Sequence, residues 1–217
     1  MTNIFQFRKR ISTALLSRDG THVAISEPFD SSDDLNMRGQ VRVYKYNGES
    51  WVLVGKEILG TRKMEFLGSH HSMDISKNGR IVAIGYPHHN DETGRIGVFK
   101  DVSGNWTRLG NDIYREFRGD AFRNSISLSS DGMVLAAGAW HHNNSTGSVR
   151  VFQYSGENWT QKGDTLVGES GHIKFGFSLS TSSNVTCIVV SSATFAGDEF
   201  NCKHNVLLYP LYDAIYY

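Results

Sequence analysis

The chain has 217 residues, in which 22 lysines and arginines balance 22 aspartates and glutamates. A formal charge of zero argues against a nucleic-acid-binding protein with a strongly basic surface, and two cysteines exclude a disulfide-rich scaffold. The 22 glycines, three prolines and 12% aromatic residues are typical of short strands joined by tight turns.

The beginning of the chain carries no recognisable targeting signal. Residues 1–10 contain neither an apolar core nor a small-residue cleavage site, so we expect no signal peptide. The longest apolar runs have about six residues, as within 133–139, whereas a membrane-spanning helix needs about 20. The sequence therefore predicts a soluble chain without a transmembrane segment, and it leaves the cellular compartment open.

Three sequence blocks recur in the same order along the chain. The first is Ser-x-Asp/Asn-Gly followed by an apolar run, the second is a Gly-led strand, and the third starts with Trp and ends with Gly. The Trp blocks lie 55 and then 53 residues apart, as do the Gly-led strands. The first block occupies residues 17–20, 76–79 and 129–132, the second 39–44, 94–99 and 147–152, and the third 51–55, 106–110 and 159–163.

Each repeat is interpreted as four short strands. Asp or Asn before Gly tolerates positive φ, so the first block predicts a two-residue type I′ hairpin turn between strands one and two. The second strand is continuously apolar and should be covered on both faces, whereas the third alternates between apolar and polar residues. The fourth strand begins with Trp and is otherwise polar, as an outer strand should be. Because no segment keeps a 3.6-residue apolar period, very little helix is predicted.

Regular hairpins in repeats of 53–59 residues predict an all-β fold, a β-propeller-type repeat of four-stranded blades. A degenerate fourth copy, at residues 175–180, 187–191 and 205–209, lacks the final Trp strand. We therefore expect a single domain over residues 1–217, with repeats at about 7–60, 61–115, 116–168 and 169–217. These about 3.7 repeats would form a four-bladed ring or a partial propeller, with each Trp filling the wedge between neighbouring blades.

The motifs of residues 122–139, 147–152 and 159–163 resemble the FG-GAP repeat of integrin-α-like β-propellers. The similarity is to a microbial variant that reads S-x-D-G, A-x-G-A, G-x-V-R-V-Y/F and W-x-x-x-G, and it extends well over residues 7–168 and weakly over 169–210. It implies a propeller fold and, in longer relatives, an extracellular or cell-surface location. The calcium loop D-x-D-x-D-G of that family is absent, because Asp131 and Gly132 follow two serines, so no calcium site is carried over.

Six of the nine histidines form adjacent pairs, at residues 70–71, 88–89 and 141–142. The second and third pairs occupy the same loop of their repeats, between strands two and three, and the first pair lies at the same end of the blades. Imidazoles are good ligands for zinc, copper or nickel, but adjacent residues on a strand point to opposite sides. A polar loop, a contact with a ligand or partner, and a metal site all stay open, and we assign no metal.

The first long loop holds an acidic cluster that includes Asp33 and Asp34. Such carboxylates supply hard oxygen ligands or simply form a solvated loop. Trp140 stands between an apolar strand and the third histidine pair. Loops 28–38, 86–93, 140–146 and 193–204 should meet at one end of the blades. The candidate binding residues on these loops are His88, His89, His141, His142, Asp33, Asp34 and Trp140.

No catalytic or cofactor motif stands out in the sequence. Gly-x-Ser-x-Gly, His-Glu-x-x-His, P-loop and Gly-x-Gly-x-x-Gly patterns are all absent, so we expect neither an enzyme nor a cofactor. Cys187 and Cys202 either close a loop as a disulfide in an oxidising compartment or remain reduced thiols.

The sequence therefore predicts a non-catalytic binding or scaffolding propeller, whose loops at one end contact a protein or carbohydrate partner. Two alternatives stay open: a metal-dependent hydrolase or lyase that uses the clustered histidines, and a fragment of a larger propeller without independent function. Nucleic acid is not an expected partner. Open blade edges could let the chain self-associate.

Overall fold

The computed structural model describes residues 10–30, 37–69, 72–89, 94–114, 125–168, 174–183, 186–195 and 202–210. Within these ranges, eighteen strands form four antiparallel sheets, which we call blades 1 to 4. The predicted all-β repeat of four-stranded sheets is confirmed. The described ranges contain a single helix, α1 (His142–Ser145), which is one short turn. No helix in these ranges is long and apolar enough to span a bilayer.

The strands follow one another as hairpins within each blade, with ranges as follows. Blade 1 contains β1 (Thr13–Leu16), β2 (His22–Glu27), β3 (Gln40–Tyr46), β4 (Trp51–Leu53) and β5 (Ile58–Leu59). Blade 2 contains β6 (Met73–Ile75), β7 (Ile81–Tyr86), β8 (Arg95–Val102), β9 (Asn105–Arg108) and β10 (Ile113–Tyr114). Blade 3 contains β11 (Ser125–Leu128), β12 (Val134–Ala139), β13 (Ser148–Tyr154), β14 (Trp159–Gln161) and β15 (Leu166–Val167). Blade 4 contains β16 (Ser178–Thr181), β17 (Cys187–Phe195) and β18 (Cys202–Pro210).

The outer strand of blades 1 to 3 is divided into two short pieces that pair with the same third strand. In blade 1, both β4 and β5 pair with β3. The break falls at Gly55, where φ is +66°. A Cβ at this position would overlap the carbonyl oxygen of Gly104 in the neighbouring blade. Gly55 therefore lets the next blade approach the outer strand closely, and Gly110 does the same in blade 2.

The Ser-x-Asp/Asn-Gly turns differ from the predicted type I′ geometry. Only the glycine is left-handed, with φ of +73° at Gly20 in the first turn, +70° at Gly79 and +76° at Gly132. Asp19 instead accepts hydrogen bonds at its Oδ1, from the Thr21 N–H at 2.9 Å and the Ser17 hydroxyl at 2.7 Å. The side chain thus stabilises the turn itself, so the expectation of two left-handed residues was wrong.

The four turns between first and second strands meet at one end of the molecule, which we call the turn end. Asp19 donates its N–H to Lys77 O, Lys77 to Ser130 O, and Ser130 to Ser183 O, at 2.9–3.2 Å. The Arg18 guanidinium donates to the hydroxyls of Ser130 at 3.0 Å and Ser183 at 2.9 Å. One side chain of blade 1 therefore connects the turns of blades 3 and 4.

Three hydrophobic clusters join the blades in pairs: 1 with 2, 2 with 3, and 3 with 4. We call each contact a seam. Ile75 and Leu128, which precede the turns of blades 2 and 3, are buried in their seams, whereas the equivalent Leu16 of blade 1 is 58% exposed. Among the described residues, no hydrophobic cluster joins blade 4 to blade 1.

Two of the three recurring tryptophans lie in seams, as the sequence predicts, whereas Trp51 contacts Tyr46 of its own blade. Trp159 of blade 3 is 4% exposed and donates its indole N–H to Leu109 O of blade 2 at 2.7 Å. Trp106 of blade 2 repeats this bond to Val54 O of blade 1 at 2.9 Å. Trp159 and Trp106 thus pack against the preceding blade and satisfy the indole N–H there.

The strand register of blade 4 shows whether Cys187 and Cys202 can form a disulfide. Cys202 pairs with Phe195, whereas Cys187 pairs with Pro210 at the other end of the same hairpin. Eight residues of strand separate the two positions, or about 27 Å at the rise of a β-strand, and a disulfide needs Cα atoms within about 7 Å. A disulfide between them is excluded in this fold.

We predict that Gly147→Ala destabilises the protein more than Gly20→Ala. Both glycines are left-handed, so either substitution costs about 1–2 kcal/mol in backbone energy. A Cβ on Gly147 would in addition overlap the Phe175 carbonyl oxygen, which should add about 1–3 kcal/mol, whereas the Gly20 position is open. Urea unfolding of both variants measures the difference, and equal losses would contradict the steric explanation.

Candidate functional site

The end opposite the turns, which we call the loop end, carries an exposed apolar patch over the seam between blades 1 and 2. The patch consists of Phe29, Met37, Met64, Phe66 and His88. Phe29, Met37 and Met64 are 48%, 41% and 57% exposed. The Phe66 ring contacts those of Phe29 and His88, with centroids 5.7 and 4.9 Å away, and the Phe66 N–H donates to Met37 O at 3.2 Å. Exposed apolar groups gathered in this way are typical of interaction sites.

Three residues of the apolar patch have left-handed backbones. The φ angles are +56° at Met37, +56° at Met64 and +50° at Phe66. Bulky side chains rarely adopt this conformation, and each instance costs about 1–3 kcal/mol. Two of the three flank Glu65, whose buried carboxylate accepts the Thr61 N–H at 2.6 Å. Strained backbone of this kind gathers at functional sites.

A second aromatic group, the tryptophan cluster, lies at the loop end over the seam between blades 3 and 4. It consists of Trp140, His141, Lys174 and Phe177. The imidazole of His141 lies against the indole with centroids 3.4 Å apart, and the Lys174 ammonium is 4.5 Å from the indole centroid. Phe177 meets Trp140 edge-on at 6.1 Å and is exposed. The cluster therefore offers aromatic surface beside a cation.

The structure separates the histidine pairs proposed from the sequence. His88 belongs to the apolar patch, and His89 is buried with its Nδ1 2.7 Å from Glu65 Oε1. His141 belongs to the tryptophan cluster, and His142 begins α1. No group of three potential metal ligands occurs in the part of the chain that the structure describes. The remaining candidates, Asp33 and Asp34, and the pair at 70–71 lie outside that part.

Below the apolar patch lies an ion network that the sequence did not reveal, with Glu65, His89 and Arg95 buried and Arg108 35% exposed. It consists of Glu65, His89, Arg95, Arg108 and Asp112. The Arg95 guanidinium lies 3.3 Å from Glu65 and also pairs with Asp112, which in turn pairs with Arg108. Burial acts to raise the pKa of Glu65, but the bonds from His89 and the Thr61 N–H, together with Arg95, outweigh it and lower that pKa.

Tyr86 connects the ion network to the hydrophobic seam. Its ring is fully buried, with the Arg95 Cζ 3.7 Å from the ring centroid. Burial raises the pKa of the Tyr86 phenol, although Arg108 and Arg95 act in the opposite direction. The sequence signal for this site is the pair Tyr86 and Arg95, because blade 3 has Ala139 and Ser148 at the equivalent register positions.

A cavity of about 310 Å³ opens beside Tyr86 in the same seam. We call it the seam pocket. Blade 1 contributes Lys56 and Ile58 to its wall, and blade 2 contributes Tyr86, Phe99, Trp106 and Arg108. The pocket therefore combines an aromatic surface with two cationic side chains.

Comparison with known proteins supports the fold. No family model and no curated protein matches the chain. The β-propeller domain of the trilobed protease from Pyrococcus furiosus is 10% identical, with a TM-score of 0.52 over 92% of this chain and 54% of that one. The periplasmic gluconolactonase PpgL of Pseudomonas aeruginosa is 11% identical, with a TM-score of 0.56 over 92% and 57%.

A third similar structure is hydrazine synthase of Kuenenia stuttgartiensis, which is 17% identical, with a TM-score of 0.56 over 91% of this chain and 50% of that one. At these identities the likeness shows a β-propeller-type fold alone. The chain spans about half the length of the structures that it matches.

Proposed function

We propose that the chain is a non-catalytic propeller module that binds a protein partner through its loop end. The apolar patch carries this proposal, because it exposes two methionines and a phenylalanine in one place. Methionine is flexible and polarisable and adapts to different partner surfaces, and phenylalanine supplies large contact area. The left-handed backbone at Met37, Met64 and Phe66 supports the proposal further, since strain concentrates at functional sites.

The histidines support the non-catalytic part of the proposal. His89 binds Glu65, His88 packs on Phe66, and His141 stacks on Trp140. Each of these rings thus has a structural contact in its own seam. We further propose that the chain is a variant of the FG-GAP repeat, on the strength of the motif that recurs in blades 1 to 3.

Carbohydrate is the second candidate partner, and the tryptophan cluster favours it. Sugars present C–H groups to aromatic faces and hydroxyls to polar groups. Trp140 and Phe177 supply aromatic surface, and Lys174 and His141 supply polar groups beside them.

Substitutions in the apolar patch and in the tryptophan cluster distinguish a protein partner from a carbohydrate partner. Affinity capture with the full chain identifies a protein, whose dissociation constant is then measured with purified components. We expect Phe29→Ser combined with Met64→Asn to weaken this binding at least about tenfold, the loss of one or two anchors of an interface. Asn tolerates the left-handed backbone at position 64, so the fold should be preserved.

The control is Val52→Ser, an exposed apolar residue on the outer strand of blade 1, which should leave the affinity unchanged. Binding that survives the double substitution would overturn the proposed site. A glycan array on which the chain binds, and from which Trp140→Ala removes the signal, would instead establish the carbohydrate partner.

A further inference from the structure

The seam pocket exists because the seam between blades 1 and 2 departs from the repeat. In the seam between blades 2 and 3, Asn111 Oδ1 accepts the backbone N–H of Trp159 at 2.7 Å, and this Trp is almost completely buried. Lys56 takes the place of Asn111 in the preceding repeat and is exposed, and Trp106 there is only half-buried. The seam between blades 2 and 3 is therefore closed at this position, whereas the seam between blades 1 and 2 is open.

Two further substitutions between repeats change the chemistry of the pocket wall. The position of Ala139 in blade 3 is occupied by Tyr86 in blade 2, and the position of Gln161 is occupied by Arg108. Both new residues line the pocket. Every seam of a repeat protein has to pack neighbouring blades together. The seam between blades 1 and 2 has a tyrosine and cations that the next seam lacks, and this difference indicates an additional function.

Arg108 is fixed in position before any ligand arrives. Its guanidinium pairs with Asp112, lies 4.6 Å from the Phe99 centroid, and keeps 35% of the side chain exposed. Asp112 is itself held by Arg95. Such an anchored arginine presents its remaining donors at little entropic cost, and its planar fork matches a carboxylate.

The charge and volume of the pocket restrict the ligand. Among the lining side chains, Lys56 and Arg108 are cationic and Glu57 is anionic, so the wall itself carries a net positive charge. A volume of about 310 Å³ lies at the lower limit of small-molecule sites, which span roughly 300–1,000 Å³. The space suits one ring with a short substituent, packed against Trp106.

We propose that the seam pocket binds a small planar carboxylate, with the carboxylate between Arg108 and Lys56 and the ring against Trp106. The ligand would bridge blades 1 and 2, because Lys56 comes from one blade and the other contacts come from its neighbour. This site is separate from the apolar patch, so it holds whether or not the loop end binds a protein.

The test is titration of the full chain with benzoate, followed by the indole N–H signal of Trp106 in NMR spectra. We expect a saturable shift with benzoate and at least about tenfold weaker binding of benzamide and benzylamine, since the carboxylate contributes a charge-assisted hydrogen bond. Arg108→Gln and Lys56→Asn introduce the residues of the blade 2–3 seam and should each weaken benzoate binding at least about fivefold, the loss of one such contact.

Arg150→Gln is the matched control. Arg150 is the cation of blade 3 over Phe152, with 4.9 Å from Cζ to the ring centroid, and it does not line the pocket. Benzoate affinity should be unchanged in this variant. Equal affinity in Arg108→Gln and Arg150→Gln would overturn the proposal, as would benzylamine binding as tightly as benzoate or the absence of a saturable shift.

Discussion

Replacing Trp159 by alanine should cost about 3–5 kcal/mol of unfolding free energy, the range for a large buried aromatic residue. The side chain is 4% exposed and its indole N–H bonds to Leu109 O across the seam. The substitution leaves a cavity and also removes the partner of that buried carbonyl. Thermal or urea unfolding, followed by circular dichroism, measures the loss.

The repeat supplies the controls for this experiment. Trp106 and Trp51 occupy the same position in blades 2 and 1, but both are only half-buried. Alanine at Trp106 should therefore cost less than at Trp159, and alanine at Trp51 should cost less again, since it contacts Tyr46 of its own blade. Similar losses at all three positions would show that the tryptophans act within their blades and not across the seams.

Glu65→Gln should be comparably destabilising, by about 3–5 kcal/mol, because it leaves the buried Arg95 without its carboxylate on one side. Glutamine has nearly the same shape, so the loss reports on charge. Glu57→Gln is the control: this acid is exposed in the segment between β4 and β5, and its replacement should change stability by less than about 0.5 kcal/mol.

The pH dependence of Glu65→Gln distinguishes charge from shape. The pKa of Glu65 is lowered in the folded state, so its stabilising contribution is complete above the ordinary glutamate pKa of 4.5 and is lost as the pH falls through the folded pKa. The unfolding free energy of the wild type should therefore exceed that of the variant by a constant amount above about pH 5, and by a smaller amount below it. A difference that does not shrink in acid would contradict a role for the carboxylate charge.

The sequence predicted the blades because their determinants are local. The Gly-led strands and the Trp strands repeat at fixed spacing, and strand alternation fixes which face is buried, so the sheets follow from the pattern. The type I′ turn was wrong because Asp19 stabilises a different turn through its own side chain. The Asp-Gly dipeptide alone does not show whether the backbone adopts a type I′ turn or the aspartate side chain stabilises another turn.

The candidate site was harder to predict because its parts are distant in sequence. Glu65 reaches His89 and Arg95, which are 24 and 30 residues away, and nothing in its immediate context marks it as buried. Comparing equivalent positions would have found part of this site, since Tyr86 and Arg108 stand where blade 3 has Ala139 and Gln161. The left-handed backbone at Met64 has no sequence signal of its own.

The hydrogen bonds among the turns have a consequence for how the protein can change during evolution. The Arg18 contacts and the bonds from Lys77 to Ser130 and onward to Ser183 fix the spacing of four turns at once. An inserted residue at the turn end would disturb all four blades together, whereas an insertion at the loop end would disturb only the two blades of one seam. We therefore expect homologues to keep the length of these turns constant and to vary in length between strands two and three, so that recognition diversifies without a change of scaffold.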